Sequence, residues 1–248
     1  MTWDIVPICK AQLMDVNPED LIKDGLYRKC NTYKGGGGYD KFPEIYNARF
    51  NQNRTDLNNQ FVVQTKGCPL ACPYCYVTKQ GVNGESVKIG SNQLVNDFKS
   101  SKCSVFHLMG GAPALHLHKW LDLLSYMSGE VFHSDFLLLE GEYDSQILTD
   151  ISSYKNSLYA VSIKGGTPEE FERNTARKFN ESLFENNLTK LVDSNINFYF
   201  TFTGMTPETI ELFKERHAGL NFDNSFAINL VHYKALDYIE NMAPSTSG

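Results

Sequence analysis

The chain lacks several features that would each have named a class of protein. No apolar run approaches the roughly 20 residues needed to cross a bilayer. The opening stretch, MTWDIVPICKAQLMD, carries Asp4 early and has no long apolar core, so it does not read as a secretory leader. An excess of positive charge is missing too: 23 Lys and Arg stand against 29 Asp and Glu, a net of −6. General binding to nucleic acid or to anionic membranes is therefore not expected. Cysteine is scarce, at six residues in 248. A cytoplasmic, reducing setting is the expectation, where thiols serve as metal ligands more often than as disulfides. The Asn-x-Ser/Thr triplets at Asn53, Asn180 and Asn187 are then chance matches. No Gly-x-Gly-x-x-Gly follows the first strand, which disfavours dinucleotide binding. The run Gly35–Gly38 has no Gly-Lys-Ser/Thr ending and reads as a flexible turn or lid rather than a phosphate cradle.

What is present is a rhythm. Hydrophobic residues make up 42% of the chain, enough for a sizeable core. Short apolar, β-branched or aromatic runs recur at 60–66, 103–109, 134–140, 158–164, 197–203 and 225–231. Helical patterns fill the gaps, among them SNQLVNDFKS, LHKWLDLLSYM, SQILTDISSY, PEEFERNTARKF with ESLFENNLTKLVD, and PETIELFKERH, and YKALDYIENM follows the last run. Thr167-Pro168 and Thr206-Pro207 are helix starts, the first with Glu170 placed for a capping box. Strands alternating with helices predict an α/β fold with a parallel sheet, either an open doubly wound sheet or a curved partial barrel. In both, the active site lies at the C-terminal ends of the strands. Residues 1–59 read as an N-terminal extension covering the barrel mouth or side, 60–242 as the repeating unit and 243–248 as a tail. Within the extension, Asn17-Pro18-Glu19-Asp20 reads as a helix start.

Half of the cysteines sit in one loop, GCPLACPYCYV, directly after the first strand: Cys68, Cys72 and Cys75. Thiolates bind zinc or the iron of iron–sulfur clusters. A structural zinc site usually has four ligands in pairs, and no second Cys-x2-Cys exists here. Three thiolates on a four-iron cluster leave one iron open, the mark of a reactive centre.

The Cys-x3-Cys-x-aromatic-Cys pattern, with Tyr74 as the aromatic, resembles the radical S-adenosylmethionine superfamily over about residues 60–242. The resemblance implies a (β/α)6 partial TIM barrel and a [4Fe–4S] cluster on Cys68, Cys72 and Cys75. S-adenosyl-L-methionine would chelate the fourth iron, and its reductive cleavage would give a 5′-deoxyadenosyl radical that abstracts hydrogen from a small-molecule or protein substrate. Tyr74 would lie near the adenine. The family's Gly-Gly-Glu-Pro segment reads Gly110-Gly111-Ala112-Pro113 here and would meet the methionine amino group through backbone. Ser162-Ile163-Lys164 is similar to the Asp-x-Lys of glycyl-radical activating enzymes, with Lys164 placed for the methionine carboxylate. This leans towards the organic-radical-activating-enzyme-like branch, which includes 7-carboxy-7-deazaguanine synthase. A flavodoxin or ferredoxin reductant is implied by the family.

Alternation along strands adds a reading of its own. Glu140 would end the third strand, where a helix-capping or salt-bridge role accounts for it as well as ligand contact does. Ser162 and Lys164 would end the fourth, Tyr199, Thr201 and Thr203 would share a face of the fifth, and Asn229 would sit in the sixth. Inward-facing, these groups converge on one rim as a pocket requires. His107 reads as a core histidine, His116 and His118 as surface residues, and Cys9, Cys30 and Cys103 as isolated thiols. The competing function is a non-catalytic iron–sulfur or zinc protein with a structural or electron-transfer role.

Overall fold

The computed structural model describes residues 1–11, 17–31, 41–75, 77 and 82–228. Among these, ten strands form one sheet. Six run parallel: β4 (Asn59–Thr65), β6 (Val105–Gly110), β7 (Val131–Phe136), β8 (Ser157–Ile163), β9 (Phe198–Thr203) and β10 (Phe226–Ile228). They lie side by side in chain order, which is the partial TIM barrel.

The crossovers are helical, and their ends follow local chemistry. α3 (Ser91–Ser101) joins β5 (Val87–Gly90) to β6. A 3-10 segment (Pro113–Lys119) runs into α4 (Trp120–Ser125) after β6, and α5 (Ser145–Ser152) follows β7. α6 (Pro168–Thr175) and α7 (Glu181–Asp193) link β8 to β9, and α8 (Pro207–Arg216) follows β9. Asp144 caps α5 by accepting from the amides of Gln146 and Ile147. Thr206 and Thr209 form a reciprocal capping box on α8. Thr167 caps α6 through the Glu170 amide, but the Glu170 side chain does not complete a box there. It accepts instead from Gly166 N (2.8 Å) and Thr209 Oγ1 (3.1 Å), tying the β8 and β9 loops together.

Strands β1 (Thr2–Ile5), β2 (Leu21–Ile22) and β3 (Tyr27–Asn31) belong to the same sheet, α1 (Ile8–Ala11) following β1. β3 pairs antiparallel with the first half of β4, and β1 pairs with its end, Ile5 opposite Thr65. β1 also pairs with β5. The expected helix after Asn17 is a correction. Asn17 does accept from the Glu19 amide, but only a 3-10 turn forms (Pro18–Asp20), and the chain turns directly into the β2–β3 hairpin. Lys23, Asp24 and Gly25 all have positive φ there, a turn that no helix accommodates.

Register sorts the barrel interior into layers, because in-register partners share a face. Val105 and Val131 form the lowest layer, and α2 (Phe42–Phe50) closes that end by packing Phe42, Ile45 and Tyr46 against them. Above lie Val62, His107, His133 and Leu158, then Asp135, Ala160 and Tyr199, then Ser162, Thr201 and Phe226. The outer face is apolar. Phe106, Phe132, Tyr159 and Phe200 pack under the helices, with Trp120 stacked on Tyr159 at 5.6 Å. Polar groups thus collect inside and towards the C-terminal strand ends.

Candidate metal centre and cavity

The cysteine loop leaves β4 and is fastened from several sides. Val6 N donates to Gln64 O (2.9 Å) and Lys66 N to Asp4 O (3.1 Å), so β1 fixes the exit of β4. Gly67 N donates to Val82 O (2.7 Å), and Ala112 N donates to Gly67 O (2.6 Å). Further along, Ala71 N donates to Thr175 O at the end of α6 (2.9 Å), and Arg177 Nε to Pro69 O (3.2 Å). A turn closed by Cys75 N and Cys72 O (3.1 Å) holds the last two thiols together.

All three cysteines line a cavity of about 150 Å³ at the C-terminal ends of the strands. None is in a disulfide. Burial pushes the Cys68 thiol up to about 12, opposed by a hydrogen bond from the Leu70 backbone and reinforced by the neighbouring thiols of Cys72 and Cys75. Burial likewise raises Cys75, with Lys164 acting in the opposite sense. The Tyr74 phenol is raised by burial and by Cys72 beside it. Lys164 Nζ lies over the Tyr74 ring, 5.5 Å from its centre. Asn174 Nδ2 fixes the strand ends behind this lysine, donating to Lys164 O (2.8 Å) and Gly204 O (2.9 Å).

Of the residues singled out from the sequence, Tyr74, Gly110, Gly111, Pro113, Ser162, Lys164, Tyr199, Thr201 and Thr203 line this cavity with the three cysteines. Ala112 does not: it is fully buried, its amide bonded to Gly67 O and its carbonyl to Leu115 N. Glu140 does not either, and the reason is a shifted strand. β7 is Val131–Phe136, not 134–140, and the Leu-Leu-Leu-Glu that follows is a loop with Leu138 at φ 64°. The Glu140 carboxylate turns into that loop, accepting from the amides of Leu137 (2.8 Å) and Leu139 (3.0 Å) and from Tyr143 Oη (2.6 Å). Burial raises its pKa against these hydrogen bonds. Asn229 lies outside the described residues, as do Gly35–Gly38.

The same shift hid Asp135. Asp135 belongs to the cavity wall, together with Tyr199. The alternation Val131, His133, Asp135 against Phe132, Ser134, Phe136 carries the signal, and moving the frame by an odd number of residues reverses the two faces.

The donor set fits an iron–sulfur cluster with three protein ligands. All three thiols face one cavity, and a metal that takes the thiolates there would displace the protons that burial otherwise favours on Cys68 and Cys75. Among the described residues lining the cavity there is no fourth thiol and no imidazole, which a closed tetrahedral zinc site would require.

The sequence profile of the Radical SAM superfamily matches residues 62–217, more than half of the chain. No curated protein matches the chain in sequence. Among solved structures, histidine-tagged anSMEcpe with bound AdoMet superposes with a TM-score of 0.50 at 19% identity, over 66% of this chain and 47% of that one. Methylornithine synthase (PylB) gives 0.48 at 12% identity, over 77% and 58%. Coproporphyrinogen III oxidase (HemN) from Escherichia coli, described as a radical SAM enzyme, gives 0.45 at 15%, over 74% and 48%. The chain thus spans about half the length of these proteins. At such identities the likeness is one of fold, and it rests on the first of the three.

Proposed function

The chain belongs to the radical SAM superfamily, and on that premise we propose that it is a [4Fe–4S]-dependent enzyme that reductively cleaves S-adenosyl-L-methionine and uses the product radical on a bound substrate. Cys68, Cys72 and Cys75 would hold the cluster. When bound, it supplies the electron that breaks the sulfonium bond and yields the 5′-deoxyadenosyl radical. The chain's own residues orient the partner molecule. Lys164 provides the one cationic side chain among the described cavity residues and would pair with the methionine carboxylate. Gly110 and Gly111 would let backbone approach the amino group, Ser162 and Thr201 would meet the ribose, and Tyr74 the adenine. Ser162 and Lys164 on one wall support the organic-radical-activating-enzyme-like branch. A flavodoxin or ferredoxin would supply the electron.

The observation that carries this reading is a cavity with three thiols, one lysine and, among its described lining, no fourth thiol or imidazole. The test is anaerobic reconstitution followed by dithionite and S-adenosyl-L-methionine. Release of 5′-deoxyadenosine, lost in Cys72→Ala, supports the proposal. A protein that holds a single zinc and no iron or sulfide under strict anaerobiosis is the non-catalytic alternative.

A further inference from the structure

Beneath the cavity lies a second group of donors that the proposed radical chemistry leaves unused. His107 of β6 and His133 of β7 are in-register neighbours on the inner face. Their rings lie 4.2 Å apart. Asp135 stands two residues beyond His133 on the same face and reaches the cavity. One donor atom from each of the three lies within 4.8 Å of the others.

The partners of these side chains orient them. His107 Nδ1 is 2.7 Å from Gln60 Oε1, an acceptor for a ring N–H. Nε2 lies 3.8 Å from Asp135 Oδ2. That spacing admits a divalent cation between the carboxylate and a neutral imidazole. His133 Nε2 is 3.2 Å from the Tyr199 hydroxyl, while its Nδ1 is buried with no hydrogen-bond partner among the described residues. Each imidazole therefore has one nitrogen steadied by a neighbouring oxygen, as metal-ligating histidines do. Phe42 packs on the His133 ring at 4.3 Å and closes the far side.

We propose that His107, His133 and Asp135 form a second metal site, binding one first-row divalent ion of the zinc or iron(II) class. Two histidines and one carboxylate leave coordination positions for water or an exogenous ligand. Because Asp135 is shared with the cavity wall, that ligand is a substrate bearing an oxygen donor such as a carboxylate or hydroxyl. The alternative arrangement is an imidazolium–carboxylate ion pair with no metal.

Cobalt(II) titration of the full chain separates the two. In the Cys68→Ser/Cys72→Ser/Cys75→Ser background the cluster cannot form, so the result is independent of the radical reading. The expected result is one saturable equivalent of cobalt, with d–d bands and no sulfur-to-metal band, displaced by zinc. Asp135→Asn and His107→Gln each weaken it tenfold or more. Asp135→Asn is isosteric and decides the matter should the histidine variant fail to fold, with near-ultraviolet circular dichroism as the check. Absence of saturable cobalt, or uptake unchanged by Asp135→Asn, overturns the proposal.

Discussion

Replacing Gly111 by alanine tests how the cysteine loop is held. A Cβ there would stand 1.9 Å from Gly67 O and 2.7 Å from Gly67 C. Real Cβ contacts do not fall below 3.0 Å, so the two chain segments must part by about 1.1 Å. Gly67 immediately precedes Cys68, and its carbonyl is already bonded to Ala112 N at 2.6 Å. The neighbouring obstacle is backbone, which has no rotamer to escape into. Metal–ligand distances tolerate only about 0.2 Å, so a displacement of this size at the first ligand is several times too large. Overpacking of this kind also costs about 1–3 kcal/mol of stability. The assay is iron and sulfide content after anaerobic reconstitution, with urea unfolding alongside. Gly111→Ala should lose most of its cluster and unfold at lower urea. Gly219→Ala, where no atom lies within 4 Å of the added carbon, serves as the control and should change neither. A Gly111→Ala protein with a full cluster and unaltered stability would refute the idea that the Gly67–Gly111 crossing positions Cys68.

Three other expectations come from named contacts. Lys164→Met removes the cation over Tyr74; the KM for S-adenosyl-L-methionine should rise about tenfold or more, the worth of one charge-assisted hydrogen bond, and an unchanged KM would dismiss Lys164 as a carboxylate partner. Asn187 accepts from Tyr143 N and donates to Leu138 O and Gly141 O, so Asn187→Leu strands three backbone groups of the loop after β7; a loss of about 3 kcal/mol in denaturant unfolding is expected. The hydrogen bond from Arg54 holds the Asp56 carboxyl down at about 2 instead of 3.8. A depressed carboxylate stabilises the fold above its unfolded pKa and loses that contribution as pH falls from 3.8 through about 2. An NMR titration should show this midpoint in the native protein and a return towards 3.8 in Arg54→Gln.

Much of the barrel is legible because its signals are local. The runs at 60–66, 158–164 and 197–203 fall on β4, β8 and β9 within a residue or two, since β-branched and aromatic residues bounded by turns mark strands wherever the chain packs them. β7 is the instructive failure. Leu137, Leu138 and Leu139 drew the strand towards them by hydrophobicity, yet they form a loop whose backbone is pinned by Glu140 and Asn187. Asn187 lies 49 residues from Leu138, and no local pattern announces that contact. His107 reads as a lone core histidine for a similar reason: its partners, Gln60, His133 and Asp135, come from other strands.

The sequence by itself determined that three thiols gather at one place, because cysteines spaced within eight residues are confined to one loop whatever the rest of the chain does. It determined the α/β alternation for the same reason, each element being set by its own period and caps. Only the tertiary structure decided which side chains share the interior with those thiols, that β1 and β3 brace β4, and that Gly111 must be bare for Gly67 to cross it. These depend on strand phase and on contacts between distant residues, where a shift of one residue exchanges the inside of the barrel for the outside.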